Sequence, residues 1–185
     1  MTGLLLDYSA LRDRHRGDVI DPAHGEYNDA RRVWNGKIDR EPALIARCSS
    51  VDDVVAAVNF VRAEGLPIAV RGGGHRAAGL AVGDGALVVD LSAMHDVTVD
   101  PEARTAQAGG GTKWGRFDAA TTAHSLAITG GAISTTGIGG LTLGGGLGYL
   151  MRHFGWSCDN LRGAEVVTAN GDVDRTSETE NPELL

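Results

Sequence analysis

The stretch VRGGGHRAAG, residues 70–79, sets three consecutive glycines, Gly72, Gly73 and Gly74, directly before a histidine, His75. Glycine gives up more backbone freedom on folding than any other residue, so a run of three is costly to order. Such a run is kept where the chain must take φ > 0 or turn its N–H groups inward. Consecutive inward amides form a concave nest that binds anions, phosphate first among them. The residues just before it, LPIAVR (66–71), read as a short β-branched strand.

One such loop is weak testimony, because many glycine loops are only turns. Two more glycine segments follow, at 109–111 and 130–148, and nine of the residues 129–148 are Gly. Gly inside a helix costs about 1 kcal/mol relative to Ala, so this density is kept only where backbone comes close to something. The last segment is not linker, since Ile138, Leu141, Leu143, Leu147 and Leu150 recur in it at core-like intervals. Three glycine segments, each beside a strand or helix, point to one extended ligand touched along its length. A P-loop is excluded, for no Gly-x-x-x-x-Gly-Lys-Ser/Thr string occurs. Gly72, Gly74 and Ala77 do satisfy a G-x-G-x-x-A dinucleotide fingerprint. That fingerprint needs a helix opening on the loop, and Gly79, Gly83 and Gly85 break any helix at this point.

Outward from the loop, helices and strands mix without a regular βαβ rhythm, which predicts an α+β fold. Residues 49–64 make the clearest helix. Ser49 or Ser50 caps it, acids fill its first turn, Val54, Val55, Val58 and Val61 form an apolar stripe, and Gly65 ends it. ALVVDL (86–91) is apolar enough for a buried strand. Residues 97–111 alternate around a Pro-containing turn as a hairpin, and 113–124 form a second amphipathic helix. A second hairpin over 164–177 carries Asn170–Gly171, the preferred pair for a two-residue turn. The first 17 residues read as a short amphipathic helix.

The 185 residues suffice for one ordinary domain or two small ones, and their Gly content of 27 is roughly twice the usual share of about 7%. A net charge of −7, with Lys37 and Lys113 the only lysines, argues against a nucleic-acid partner, which needs a cationic surplus facing phosphate. No apolar run approaches the roughly 20 residues of a membrane span. Neither a basic leader nor a cleavage pattern is visible, which predicts a cytoplasmic protein. Cys48 and Cys158 are too few for a disulfide framework and lack metal-ligand spacing, so free thiols and no metal site are expected.

Four segments together carry a family resemblance: VRGGGHRAAGLAVGDGALVVDLSAMHDVTVD (70–100), GGGTKWGRFD (109–118), GGAISTTGIGGLTLGGGLGYLMRHFGWSCDNL (130–161) and AEVVTANGDV (164–173). In this order they resemble the PCMH-type FAD-binding domain of the vanillyl-alcohol-oxidase superfamily, within it the berberine-bridge-enzyme-like oxidases. The resemblance runs over about residues 34–185. It implies two small sheet-and-helix subdomains, about 34–100 and 101–185, holding an extended FAD between them, with residues 1–33 as an N-terminal helix and extended lead-in. The related flavin reductases of cell-wall precursor synthesis share the fold, but they usually lack the histidine of the RGGGH string.

What the resemblance implies for the site is specific. Gly72, Gly73, Gly74, His75 and Arg76, following Arg71, wrap the pyrophosphate. His75 bonds covalently to the methyl group at C8 of the isoalloxazine, against the plain alternative of a loop histidine bonded to nearby backbone. Gly109, Gly110 and Gly111 border the isoalloxazine. Gly131, Ser134, Thr136, Gly137, Gly139, Gly140 and Thr142 line the pyrophosphate and ribityl chain. Asp159 and Asn160 match a family Asp-Asn pair, and Val166 or Val167 lies near the adenine. The second tether of some relatives is a cysteine, whose place Ile133 takes in this chain, so a single tether is expected and Cys158 reads as a packed thiol. His153 is open between a site residue and a helix-end side chain, while His15, His24, His95 and His124 default to the surface.

The resemblance further implies a hydride transfer from a small alcohol, sugar or secondary metabolite to FAD and then to O2. Family members continue beyond the equivalent of Leu185 with a substrate domain and a closing part of the FAD domain. That domain is therefore expected to be incomplete at its C-terminal end, the catalytic base (a Tyr or a carboxylate) lying in the absent substrate half. The alternative is a flavin-binding module without turnover of its own, completed by a second polypeptide.

Overall fold

A helix between two strands organises the first half of the chain, in a computed structural model that describes residues 7–185. The order is α1 (Ser9–Arg12), β1 (Val19–Ile20), α2 (Tyr27–Ala30), β2 (Leu44–Arg47), α3 (Val51–Glu64), β3 (Ile68–Arg71) and β4 (Leu87–Asp90). The four strands form one sheet in the order β1-β2-β4-β3. β2, β4 and β3 run parallel and β1 runs antiparallel to β2. The chain therefore contains one βαβ crossover, β2-α3-β3, with β4 inserted between its strands.

The sheet is apolar on both faces, as a parallel sheet covered on both sides requires. Leu44, Ala46, Cys48, Leu87 and Val89 pack against Ala57, Phe60 and Val61 of α3, with Leu11 and Val19 closing the cluster. Ile20, Ile45, Ala69 and Val88 pack on the other face with Tyr27, Ala30 and Val82. Every residue of the central strand β4 is buried, as its unbroken apolar run predicts. Fully burying a Leu, Ile or Val side chain contributes about 1.5–3 kcal/mol, so these two clusters dominate the fold's stability.

α3 starts and stops where the sequence places it. Ser50 Oγ accepts from the Asp53 amide at 3.3 Å, and Gly65 ends the helix at φ 64°. Its buried face is rotated from the valine stripe, however, to Asp53, Ala57, Phe60 and Val61. Two neighbours cause this. Amides of the preceding loops draw Asp53 inward, and on the helix's flank Arg62 donates to the Asn170 carbonyl while Gly171 packs on Asn59.

The second half is built of hairpins and short helices: β5 (Val97–Asp100), β6 (Thr105–Ala108), α4 (Trp114–Thr122), α5 (Ile138–Leu143), α6 (Met151–Phe154), β7 (Gly163–Val167) and β8 (Val173–Ser177). β5–β6 and β7–β8 each form a two-stranded antiparallel sheet. Small sheets and short helices in this mixture are the α+β architecture the sequence predicts. Among the described residues no helix is long and apolar enough to cross a membrane.

Several details differ from expectation. The β5–β6 hairpin runs across residue 100, where the sequence expects one subdomain to give way to the next. Within the described part of the 1–33 lead-in, β1 joins the sheet and Leu11, Tyr27 and Ala30 enter its core. The helix expected over residues 1–17 lies partly outside the described residues and is otherwise the single turn α1. Asn170–Gly171 is not a two-residue turn. The loop spans 168–172, closed by Gly171 N donating to the Thr168 carbonyl, with Gly171 at φ 82°. Leu143, Leu147 and Leu150 are exposed rather than core residues, and with Tyr149, Phe154 and Trp156 they form an apolar stretch on the surface.

Candidate functional site

The glycine loop begins where the sheet ends. The last rung beyond β3 is Leu91 N donating to the Arg71 carbonyl at 2.9 Å. Beyond it, the amides of Gly72, Gly73, Gly74, His75 and Arg76 donate to no backbone carbonyl among the described residues. Five successive unpaired donors at the end of a parallel sheet are the makings of an anion nest.

The three glycine segments meet at this loop. A Cβ on Gly73 would stand 2.6 Å from Gly137 Cα, and one on Gly137 would stand 2.8 Å from Gly73 Cα. A Cβ on Gly72 would stand 2.9 Å from the Gly110 carbonyl oxygen, and one on Gly139 would stand 3.5 Å from the same oxygen. The loops 72–74, 109–111 and 137–139 are thus packed backbone to backbone around Gly110. No side chain fits at Gly72, Gly73 or Gly137, which accounts for glycine at these three places before any ligand is considered.

His75 stands at the loop's end. Its imidazole stacks on the Trp34 indole with ring centroids 4.5 Å apart and planes 23° apart. The Trp34 amide donates to the Gly74 carbonyl at 3.0 Å, and Gly74 takes φ 63° to make that turn. His75 Nε2 is buried without a hydrogen-bond partner, a cost that a bonded ligand would remove. Beside it opens a cleft of about 370 Å³ lined by Trp34, the 72–75 loop, Lys113 and Thr135. On another part of its wall Arg71 donates to Asp90 Oδ2 at 2.7 Å and to the Ala30 carbonyl. Ser92 adds two donors to Asp90, N at 3.1 Å and Oγ at 3.0 Å. Arg71 is therefore taken up in a buried ion pair that anchors the loop's first residue.

The other expected site residues divide into two groups. Gly109 and Gly111 lie against the backbone carbonyls of Met94 and Leu91, so the turn after β4 sets their need for glycine. Gly131 lies against the Trp114 indole. The carbonyls of Thr136 and Ser134 accept from Trp114 N and Gly115 N at 2.9 Å each, capping α4 with backbone. Ser134 is exposed and Thr142 half-buried, while Gly140 has nothing within 4 Å of where a Cβ would stand, leaving this side open for a ligand.

Asp159 and Asn160 are engaged within their own turn. Asp159 Oδ2 accepts from Trp156 N at 2.8 Å, and Asn160 Nδ2 donates to the carbonyls of Phe154 and Trp156. Val166 and Val167 are half-buried on β7, and Arg76, Ile133 and His153 are exposed. Cys158 is exposed rather than packed, because it sits on a single 3-10 turn with no layer above it.

Two features escaped the sequence reading. Trp34 and Lys113 line the cleft although neither belongs to a glycine run, and only the place of Lys113 two residues after Gly111 hinted at it. His15 is buried, not on the surface. Its Nδ1 lies 3.0 Å from the Gly17 carbonyl and its Nε2 3.6 Å from Cys48 Sγ. Burial, with Asp53 and Asp90 nearby, pushes the Cys48 thiol up to about 12, so this Cys–His pair holds no thiolate nucleophile near neutral pH.

Comparison with known proteins agrees with this geometry. A family model described as an FAD binding domain matches residues 42–177. (R)-6-hydroxynicotine oxidase of Paenarthrobacter nicotinovorans is 38% identical over 170 residues, 92% of this chain and 37% of that protein. The crystal structure of 6-hydroxy-D-nicotine oxidase from Arthrobacter nicotinovorans superposes with a TM-score of 0.90 at 36% identity, covering 100% of this chain and 39% of that one. The BBE-like 1 protein of Physcomitrella patens gives a TM-score of 0.88 at 32% identity, over 95% of this chain and 38% of that one. The chain thus spans under two fifths of the relatives it matches.

Proposed function

The chain belongs to the FAD binding domain family, and from that premise we propose that it is the FAD-binding portion of a flavin-dependent oxidoreductase, with His75 as a covalent tether to the flavin. The observation that carries the proposal is the meeting of three glycine loops beside five unpaired amides and the orphaned Nε2 of His75. An anionic, extended, partly flat ligand fits these residues. The amides of 72–76 would hold the pyrophosphate, and the open backbone and hydroxyls over 134–142 would run along the chain next to it. When bound, FAD supplies a two-electron acceptor for hydride leaving a substrate C–H bond, with O2 as the final acceptor. The substrate in this reading is a small alcohol, sugar or secondary metabolite, and the base that serves it comes from outside residues 1–185.

Two measurements test this. FAD added to the purified chain should bind, and its yellow colour should survive acid precipitation. His75→Ala should bind FAD but release it all into acid. Acid-stable flavin in His75→Ala refutes the tether, and no FAD binding by the wild type refutes the whole reading.

A second reading keeps the flavin site but gives the chain no turnover of its own. It is favoured by the exposed Ile68 and Val70 on the edge strand β3, an apolar edge that a second polypeptide would cover. Photoreduction of the bound flavin, set against reduction by candidate substrates, separates the two. Reduction by a substrate in the isolated chain defeats the module reading.

A further inference from the structure

Trp34 touches the 72–75 loop by both backbone and side chain from a distant part of the sequence. It is 61% exposed, so burial does not hold it in place. Two contacts do: its amide on the Gly74 carbonyl at 3.0 Å, and its indole on the His75 imidazole at 4.5 Å between centroids. Asn35, next in the chain, adds a third, its Nδ2 donating to the Ala77 carbonyl at 2.8 Å. Residues 34–35 therefore clamp the loop on either side of His75, through Gly74 and Ala77.

We propose that Trp34 is a positioning residue for His75, holding the imidazole in one orientation at the cleft so that a ring nitrogen meets the flavin methyl group. The proposal rests on the reading of His75 as the tether. In that step a bond forms between the imidazole nitrogen and the methyl carbon, and the imidazole N–H and one methyl C–H are broken. The two electrons pass into the flavin ring and then, with the two protons, to O2, giving hydrogen peroxide. A ring held against an aromatic face has fewer orientations to lose before such a bond forms, and well-oriented reactants gain rate for that reason alone.

The test compares the wild type with Trp34→Ala, Trp34→Phe and His75→Ala. In the flavin-free protein, NMR of the His75 ring protons should show an upfield ring-current shift that Trp34→Ala removes and Trp34→Phe largely keeps. At saturating FAD, where differences in non-covalent affinity drop out, acid-stable flavin should form more slowly in Trp34→Ala, by about threefold to tenfold for the loss of one aromatic stack. Trp34→Phe should recover most of the rate. An unchanged rate in Trp34→Ala, with acid-stable flavin present in the wild type, overturns the role of Trp34 and leaves the tether intact. A slowing that disappears at saturating FAD also overturns it, because it marks weaker binding rather than a misplaced ring. No acid-stable flavin in the wild type overturns tether and clamp together.

Discussion

Gly73 and Gly137 lie backbone against backbone, each where the other's Cβ would be, and this contact joins the loop after β3 to the start of α5. Neither neighbour is the movable end of a side chain. Gly73→Ala and Gly137→Ala should each force the two loops apart, at about 1–3 kcal/mol, the usual range for overpacking. Thermal melts should fall by several degrees for either variant. The double variant should lose less than the sum, since the first alanine has already opened the contact. A wild-type melting temperature for Gly73→Ala contradicts the contact.

Gly140 makes the opposite case. It lies in the middle of α5, nothing stands within 4 Å of where its Cβ would be, and its φ is not positive. Alanine there should leave stability unchanged or raise it by up to about 1 kcal/mol through helix propensity. FAD affinity should nevertheless fall, because only a ligand would need that space. Melts and an FAD titration on one preparation test both halves, and unchanged affinity removes Gly140 from the ligand's surroundings.

These three glycines show how far the sequence could be read. Glycine density announced close approach at 72–74, 109–111 and 130–148, and the three segments do converge. It did not say whether the close neighbour was ligand or protein, since that depends on which loops the sheet brings together. Local rules sufficed for α3, whose Ser50 and Gly65 are its own caps, and for β4, whose apolar run needed only a central place. The burial of His15 depends on Gly17 and Cys48, and the stack on His75 depends on Trp34. Such contacts between distant segments leave no periodic trace in one sequence.

Asp53 should make the fold acid-sensitive. Burial raises its pKa, but the Arg16 amide, the Ser49 hydroxyl and amide, and His15 outweigh that and hold the carboxyl at about 2, below its ordinary 3.8. A depressed carboxylate stabilises the fold above its unfolded pKa and loses that contribution as pH falls through the folded one. About 2 kcal/mol is therefore present at pH 6 and fades between roughly pH 4 and pH 2. Urea unfolding at pH 6, 4 and 3 should show the gap between wild type and Asp53→Asn narrowing with acid. A gap independent of pH excludes ionised Asp53 as its source.

The two cysteines should differ sharply in reactivity. Cys48 is fully buried and its thiol is pushed up to about 12, whereas Cys158 is exposed. Iodoacetamide at pH 8 should label Cys158 within minutes and Cys48 only once the chain is unfolded, as peptide mass spectrometry would read directly. Equal labelling in the native protein contradicts the packing of β2 against α3.

Arg71 and Asp90 couple the core to the candidate site, because Arg71 is the residue on which the glycine loop begins. Both side chains are buried, so removing one partner strands the other's charge. Asp90→Ala should cost about 3–5 kcal/mol, leaving the Arg71 guanidinium with only the Ala30 and Arg32 carbonyls as close acceptors. Arg71→Met should cost less, since Asp90 keeps the two Ser92 donors and Arg47 Nε at 3.8 Å. Arg71→Met with Asp90→Leu should recover part of the loss by removing both charges. The FAD affinity of that double variant then tells whether the pair serves stability alone. Recovered stability with weakened FAD binding means that the ion pair also fixes where the loop starts, and through it the amides of Gly72 and Gly73.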